Sequence, residues 1–401
     1  MKHFSVALGA LAFVLSAQPV LAEAPHAMNI EDLLTLKRVA APVASPDGQW
    51  VVWQQTDTDP ASYKRTPGLW RVSAKGGMAQ RIADLPDAGE TSPAFSPDGK
   101  RLYFISGKSG SDQLWLLDLT TPGTAPVQAS AFKSDVAGFQ ISPDGKRMLV
   151  WGDVARQCPT LGCETSGDTS QPGPGSGRLY KDGAGFVRHW DAWETPGNYS
   201  RGFVLDLGAD GKLGSSAVAL DGPAGTLTGD TPTKPMGGAE ELAWAADSQS
   251  VFFVARQADR NEPTSTDTNV WHSLLDGKAP HSPTLGNKGS DTLPAPSPDG
   301  QWLACAARTS SGTDIYAMPV AGGAAVQLTT MGFARAPAFS PDGHMLAFLA
   351  TTAGSNSFDL WVADVQTDAA GTLRLDEPRQ LTTDMHLDAD SGVAWGANEP
   401  E

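Results

Sequence analysis

Short apolar segments alternate with turn-forming residues along most of the chain. In one unit, apolar residues 93–95 precede a turn, and further apolar stretches follow at 102–105 and 114–117. The same order recurs at 337–339 and 345–348. Apolar runs this short, enriched in β-branched and aromatic residues and bounded by turns, are typical of β-strands, whereas helices need about 10–12 residues. The pattern therefore predicts an all-β chain of many short strands.

A four-residue turn, Ser-Pro-Asp-Gly, separates the first strand of each unit from the second. Identical copies begin at positions 45, 96, 142, 297 and 340, and a degraded copy occupies 245–248. Proline presets the first dihedral angle of such a turn, aspartate bonds to nearby backbone, and glycine takes the positive φ that other residues resist. Recurrence about every 45–50 residues, with one interval about twice as long, indicates a repeat fold.

Four strands in a unit of this length form one blade of a β-propeller, whose faces are covered by the neighbouring blades. We expect a β-propeller of four-stranded blades, six complete and the start of a seventh at 392–395. The expected propeller domain is 23–401. A β-sandwich with coincidental turns is the alternative, and five identical turns within matching strand patterns argue against it.

The double-length interval predicts a long insertion in blade 3. The first two strands of that blade fall at 137–141 and 146–151, and the third at 202–207, which leaves an insertion at about 156–201. It contains Cys158 and Cys163, for which we favour a disulfide. Two free thiols are the alternative, because spacing alone does not give geometry. The pair lacks the further cysteines or histidines of a zinc site, so we expect no metal and no cofactor.

The first residues, 1–22, read as an export signal peptide. A polar start is followed by the apolar residues 4–15, and small residues stand at 20 and 22, before a predicted cleavage site. A buried N-terminal helix is the alternative. No stretch approaches the ~20 apolar residues of a membrane span, and a net charge of −16 argues against nucleic acid as a partner. The predicted location is periplasmic or secreted.

Ser-Pro-Asp-Gly repeats also occur in the Tol-Pal propeller, so the turns alone do not indicate one protein family. Three other segments are more specific. Together with the start of the mature chain, they resemble the propeller region of exported bacterial serine peptidases of the prolyl oligopeptidase family. The similarity is to the acylaminoacyl-peptidase and dipeptidyl-peptidase V types. The segments are Phe-Val-Arg-His-Trp-Asp-Ala-Trp at 186–193, Pro-Thr-Lys-Pro-Met-Gly-Gly-Ala-Glu-Glu at 232–241, and the cysteine loop at 158–163.

The resemblance implies an α/β-hydrolase domain with a Ser-Asp-His triad after the propeller. The sequence contains no Gly-x-Ser-x-Gly nucleophile elbow, so we predict no catalytic residue in this chain and no hydrolysis by the chain alone. The expected function is to gate and bind the peptide substrate of an exopeptidase whose hydrolase domain is missing or separate. A stand-alone periplasmic binding propeller of the Tol-Pal type is the alternative. The oligomeric state is not predicted.

Two groups of residues are candidate site residues. Glu240 and Glu241 precede the innermost strand of the fourth blade, and paired carboxylates suit the charged amino terminus of a peptide. The alternative is that they are solvated surface charges. The second group would form a wall facing a neighbouring domain, since Trp and Arg are favoured in interface centres, or would simply pack on its own blade: Arg188, Trp190, Asp191 and Trp193.

Overall fold

The computed structural model describes most of the chain between His26 and Thr383. It contains one α-helix, α1 (Ile30–Thr35), six antiparallel sheets that follow one another along the chain, and one separate two-stranded hairpin. The predicted seventh unit at 392–395 and the predicted signal at 1–22 lie outside the described residues, which are 26–85, 88–163, 188–189, 192–193, 198–223, 227, 229–256, 265–351, 357–369 and 371–383.

The first three sheets, blades 1 to 3, have four strands each, ordered as in the sequence. Blade 1 contains β1 (Arg38–Ala44), β2 (Trp50–Thr58), β3 (Arg65–Ser73) and β4 (Gln80–Arg81). Blade 2 contains β5 (Thr91–Phe95), β6 (Arg101–Ser106), β7 (Gln113–Asp118) and β8 (Val127–Gln128). Blade 3 begins with β9 (Gly138–Ile141) and β10 (Arg147–Ala155); the hairpin β11 (Arg188–His189) and β12 (Ala192–Trp193) follows, and the blade is completed by β13 (Asn198–Leu207) and β14 (Leu213–Ala219).

Blade 4 follows a short 3-10 helix, Ala239–Glu241, and has three described strands: β15 (Leu242–Trp244), β16 (Val251–Ala255) and β17 (Asn269–Ser273). Blade 5 contains β18 (Asp291–Pro296), β19 (Trp302–Thr309), β20 (Gly312–Pro319) and β21 (Val326–Gln327). Blade 6 contains β22 (Ala334–Phe339), β23 (Met345–Ala350), β24 (Asp359–Thr367) and β25 (Leu373–Gln380).

The hydrophobic core lies between consecutive sheets rather than in one centre. Tyr103 and Leu116 of blade 2 pack with Met148 and Phe203 of blade 3, all less than 5% exposed. Similar clusters join blades 1 and 2, 3 and 4, 4 and 5, and 5 and 6. The first strands of successive blades also contact each other, for example β18 and β22. Four-stranded sheets stacked face to face around their first strands form a β-propeller, which confirms the predicted fold class.

The Ser-Pro-Asp-Gly turns share one set of hydrogen bonds. In all five, the serine hydroxyl donates to the aspartate Oδ1 at 2.5–2.7 Å. The same carboxylate oxygen accepts the backbone N–H two residues on. The serine oxygen accepts the first N–H of the second strand; in blade 6, for example, the N–H of Met345 donates to Ser340 Oγ at 2.9 Å. The glycines have φ between 67° and 76°, so a residue with a side chain would be strained there.

At four of the five junctions between the described blades, the turns of neighbouring blades contact each other. The rings of Pro46, Pro97 and Pro298 lie against the glycines Gly99, Gly145 and Gly343. Between blades 3 and 4 the contact is polar: Ser248, in the degraded turn, has φ 62° and its hydroxyl accepts the N–H of Asp144 at 3.0 Å. The turns thus hold neighbouring blades as well as their own hairpins.

The boundaries of the blade 3 insertion differ from those predicted. Strand β10 runs to Ala155, and β13 begins at Asn198 rather than at 202, so Arg201 lies within a strand that pairs with β10. Cys158 is 3% exposed and packs in the core between blades 2 and 3. The start of the predicted insertion is therefore part of the blade, because its apolar side chains complete that core.

Within the described residues, blade 4 has three strands, whereas four are predicted from the sequence. Its fourth position is occupied by an isolated bridge between His272 of β17 and His281. The sequence before and after His281 is rich in proline, serine and glycine, residues that do not sustain a strand.

The connections between successive strands of a blade lie alternately on two opposite faces of the propeller. In a blade whose neighbouring strands are all antiparallel, the turn between the first and second strands lies at one end, and the connection between the second and third strands lies at the other. The Ser-Pro-Asp-Gly turns therefore share one face. The end of β10 at Ala155, the start of β13 at Asn198 and the 3-10 helix that enters β15 lie at the opposite face, which we call the loop face.

We expect Ser340→Ala to lower the free energy of unfolding by about 1–3 kcal/mol, because the buried hydroxyl satisfies two partners in the turn. Urea unfolding followed by tryptophan fluorescence measures the change. Ser109→Ala, at an exposed position in a loop of blade 2, is the matched control and should be neutral. Equal effects of the two substitutions would contradict the role assigned to the turn.

Candidate functional site

The predicted carboxylates Glu240 and Glu241 lie in the 3-10 helix at the entrance to β15, the innermost strand of blade 4. This helix contacts β9 and β18, the innermost strands of the two flanking blades. The pair is thereby placed at the loop-face end of the ring of first strands. The two side chains nevertheless have different environments.

Glu241 is buried, with 7% exposure, and both its oxygens are engaged. The backbone N–H of Thr233 donates to Oε2 and the hydroxyl of Thr233 donates to Oε1, each at 2.7 Å. Burial, with a smaller contribution from the nearby Glu240, raises the pKa of Glu241 to about 7 against the lowering effect of the two hydrogen bonds. A side chain at Gly237 would lie 2.3 Å from Oε2 of Glu241, so this close approach requires glycine.

Glu240 is exposed, and its carboxylate is the one that can reach a ligand in solvent. The helix that carries it is fixed to blade 3, because the side-chain amide of Gln140 donates to the carbonyls of Ala239 and Leu242 at 2.8 and 3.1 Å. Glu241 fixes the preceding loop through Thr233. The backbone position of Glu240 is thus determined from both sides.

The loop before the helix is also attached to blade 3 by charged groups. The ammonium of Lys234 donates to Asp153 of β10 at 2.8 Å and lies 3.8 Å from Asp230. Asp230 in turn accepts the backbone N–H of Ser200 at 2.7 Å. The segment from 229 to 242 therefore bridges the second and third strands of blade 3 and the first strand of blade 4.

A buried ion cluster holds the start of the insertion. Arg201 donates to both oxygens of Asp221 at 2.8 Å, and to the carbonyls of Arg156 and Cys158, also at 2.8 Å. Arg201 and Asp221 are each 3% exposed. Cys158 and Cys163 form a disulfide with Cα atoms 5.4 Å apart. The cysteine loop is therefore fixed to β13 by hydrogen bonds and closed on itself by the disulfide.

The second candidate group lies at the hairpin β11–β12. Arg188 pairs with Trp193 and His189 with Ala192 in the backbone ladder. Trp190 and Asp191 lie outside the described residues. The backbone thus places Arg188 and Trp193 opposite each other.

Sequence patterns did not reveal Thr233, Gln140 or the Arg201–Asp221 pair. Their partners are distant in sequence, and no motif spacing links Gln140 to the helix it supports. The burial of Glu241 had a weak signal, in that it directly precedes an apolar strand. Among the described residues, no group of three or more His, Cys, Asp or Glu side chains is placed to hold a metal ion, and no helix there has the length and apolar character of a membrane span.

We expect Glu241→Gln to change the pH dependence of stability. Because the pKa of Glu241 is raised in the folded state, from 4.5 to about 7, its contribution is most favourable below pH 4.5 and is lost as the pH rises to about 7. Glutamine does not ionise, so the variant should not lose stability in this way. Between pH 4.5 and 7, its free energy of unfolding relative to that of the original protein should increase by up to about 3 kcal/mol.

Urea unfolding at several pH values between 4.5 and 8 measures this difference. Burial also raises the pKa of Asp291, to about 6. Asp291 therefore makes stability fall with rising pH in both proteins, so the quantity to compare is the difference in unfolding free energy between the variant and the original protein. Glu240→Gln, at the exposed neighbour, is the control. Parallel curves for the original protein and Glu241→Gln would refute the assignment.

Comparison with known proteins gives relatives of one kind. No model of a known protein family matches the chain. Dipeptidyl-peptidase 5 of Porphyromonas gingivalis is 28% identical over 369 residues, covering 90% of this chain and 50% of the relative. Dipeptidyl-peptidase 5 of Porphyromonas endodontalis is 25% identical over 277 residues, covering 69% of this chain and 38% of the relative. The chain thus spans about half the length of these relatives, or less.

A solved structure shares the fold. The acylaminoacyl peptidase of Pyrococcus horikoshii matches 88% of this chain and 53% of its own, with a TM-score of 0.54 and 15% identity. The resemblance stated from the sequence is confirmed: the chain is related to dipeptidyl-peptidase 5, and the part of it that the structure describes is a β-propeller.

Proposed function

We propose that this chain is the propeller part of an exported serine exopeptidase of the dipeptidyl-peptidase type, in which it gates and binds the peptide substrate. The observation that carries the proposal is its similarity to dipeptidyl-peptidase 5 over 90% of its length. Because the chain spans only half of that relative, the proposal assigns the hydrolytic chemistry to a separate part of the enzyme. A Ser-Asp-His triad on an α/β-hydrolase domain would supply it.

The proposed role of Glu240 is to hold the protonated amino terminus of the peptide. An ionised carboxylate forms a short, charge-assisted hydrogen bond with an ammonium group. Glu240 is exposed, lies at the loop-face end of the innermost strands, and has a backbone fixed by Gln140 and Thr233. Glu241 acts as a positioning residue, since both its oxygens already have partners in Thr233.

The insertion would form a wall beside this anchor. It leaves blade 3 on the loop face, the same face as Glu240, and its start is held by Arg201 and the Cys158–Cys163 disulfide. Arg and Trp side chains are favoured in the centres of contacts with a neighbouring domain or partner. The residues proposed for this wall are Arg188, Trp190, Asp191 and Trp193.

Export is part of the proposal. Residues 1–22 have the order of charge, apolar run and small residues of a signal peptide. A disulfide in a chain with one other cysteine fits an oxidising compartment. The enzyme would act in the periplasm or outside the cell.

We expect the purified chain 23–401 to release no chromophore from dipeptidyl substrates, because it carries no nucleophile elbow. The companion observation is the DNA beyond the codon for Glu401, read in all three frames. An encoded α/β-hydrolase domain there supports the peptidase. A stop codon followed by an unrelated gene would instead favour a stand-alone binding propeller, and labelling of the chain by a serine-hydrolase probe would contradict the division of roles.

In the longer enzyme, we expect Glu240→Gln to raise KM for dipeptidyl substrates by about tenfold or more, because a charge-assisted hydrogen bond is lost. Substrates with an acetylated amino terminus lack the ammonium group and should be turned over no worse by the variant. Glu377→Gln, which removes an exposed carboxylate from the outermost strand of blade 6, serves as the matched control. An equal loss on free and acetylated substrates would exclude the anchor.

A further inference from the structure

Blade 4 contains a pair of histidines where its fourth strand would begin. The backbone N–H of His272 donates to the carbonyl of His281 at 2.7 Å, and that of His281 donates back at 3.2 Å. In an antiparallel pair, two residues that exchange both hydrogen bonds project their side chains from the same side of the sheet. The two imidazoles are accordingly neighbours, with ring centroids 5.0 Å apart and planes at 61°.

His272 is buried without a polar partner. It is 5% exposed, and neither ring nitrogen has a hydrogen-bond partner among the described residues. Its ring is stacked on Phe252, with centroids 4.0 Å apart and planes at 12°, so the ring is held in place. His281 is exposed and gives the pair access to solvent.

The repeat shows that the fold does not need histidine at either position. The positions occupied by His272 and His281 are held by Leu116 and Val127 in blade 2, and by apolar pairs in blades 3 and 5, namely Val204 with Val218 and Ala317 with Val326. Burying an imidazole with both nitrogens unsatisfied is unfavourable. Packing alone therefore does not explain why blade 4 has two histidines here, because leucine and valine fill the same positions in blade 2.

We propose that His272 and His281 bind a divalent transition-metal ion, each through one ring nitrogen. Two imidazoles on one tetrahedral ion, with metal–nitrogen distances of about 2.0–2.1 Å, have ring centroids about 5 Å apart. The observed separation of 5.0 Å matches this value. The metal supplies a partner for a buried nitrogen that otherwise has none.

The two imidazole ligands determine which metal ions the proposed site favours. Neutral imidazole suits Zn²⁺, Ni²⁺ and Cu²⁺, of which Cu²⁺ binds most tightly to a given nitrogen site, whereas Ca²⁺ and Mg²⁺ prefer oxygen. No third His, Cys, Asp or Glu completes a metal-binding group among the described residues, so water fills the remaining positions on the side of His281.

The test uses the chain produced without a histidine tag and titrated with Cu²⁺ and Zn²⁺ in competition with a chromophoric chelator. We expect one site, with Cu²⁺ bound more tightly than Zn²⁺. His272→Leu and His281→Val, which introduce the residues of blade 2, should each weaken binding about tenfold or more. Electron paramagnetic resonance of the Cu²⁺ form should show coordination by two nitrogens.

His344→Gln, which removes an exposed histidine from the turn of blade 6, is the control and should bind as the original protein does. Circular dichroism and urea unfolding of the metal-free variants establish that they fold. Because Leu and Val occupy these positions in blade 2, the double variant should be at least as stable as the original without metal. Metal binding that the double variant retains, or that His344→Gln abolishes, would overturn the proposal, as would the absence of binding.

Discussion

The hydrogen bond from serine to aspartate within each Ser-Pro-Asp-Gly turn is the constraint on which the propeller depends. It places one carboxylate oxygen where it also accepts a backbone N–H, and it orients the serine oxygen to accept the first N–H of the second strand, as in Ser340 and Asp342. The serine's hydrogen bond, followed by that of the backbone, lowers the pKa of Asp342, so the turn is strongest where the carboxylate is ionised and weakens as the pH falls through that pKa. At three of the junctions between blades, the proline of one turn also lies against the glycine of the next turn.

Because the turns fix the strands at one face of the propeller, the connections on the loop face can differ in length and sequence. The connections between the second and third strands range from two residues between β19 and β20 to the segment that separates Ala155 from Asn198. None of these connections sets the register of the first hairpin, because the turn on the opposite face already does so. Long or unusual segments are therefore tolerated on the loop face, and the candidate site residue Glu240 lies there.

Most of the fold could be predicted because the repeat is local in sequence. The turn residues and the apolar strands on either side of them lie within about ten positions of each other and are read directly from composition and alternation. The cysteine loop was harder, since Cys158 packs in the core through contacts with blade 2. The different environments of Glu240 and Glu241 depend on Thr233 and Gln140, whose positions become close only when blades 3 and 4 pack. The His272–His281 pair had a signal, namely its departure from Leu116 and Val127, but recognising it requires aligning the blades strand by strand.

Blade 4 departs most from the repeat, and hydrogen bonds from blade 3 stabilise its turn. Its turn lacks the serine–aspartate hydrogen bond, yet Ser248 takes the positive φ that glycine takes elsewhere and accepts a hydrogen bond from the turn of blade 3. Arg147 of β10 adds a second bond, to the carbonyl of Ser248 at 3.1 Å. Because blade 3 fixes the turn of blade 4 from outside, blade 4 can depart from the repeat in its remaining parts. Those departures are the 3-10 helix that carries Glu240 at one end of the innermost strand, and the bridge between His272 and His281 at the position of a fourth strand.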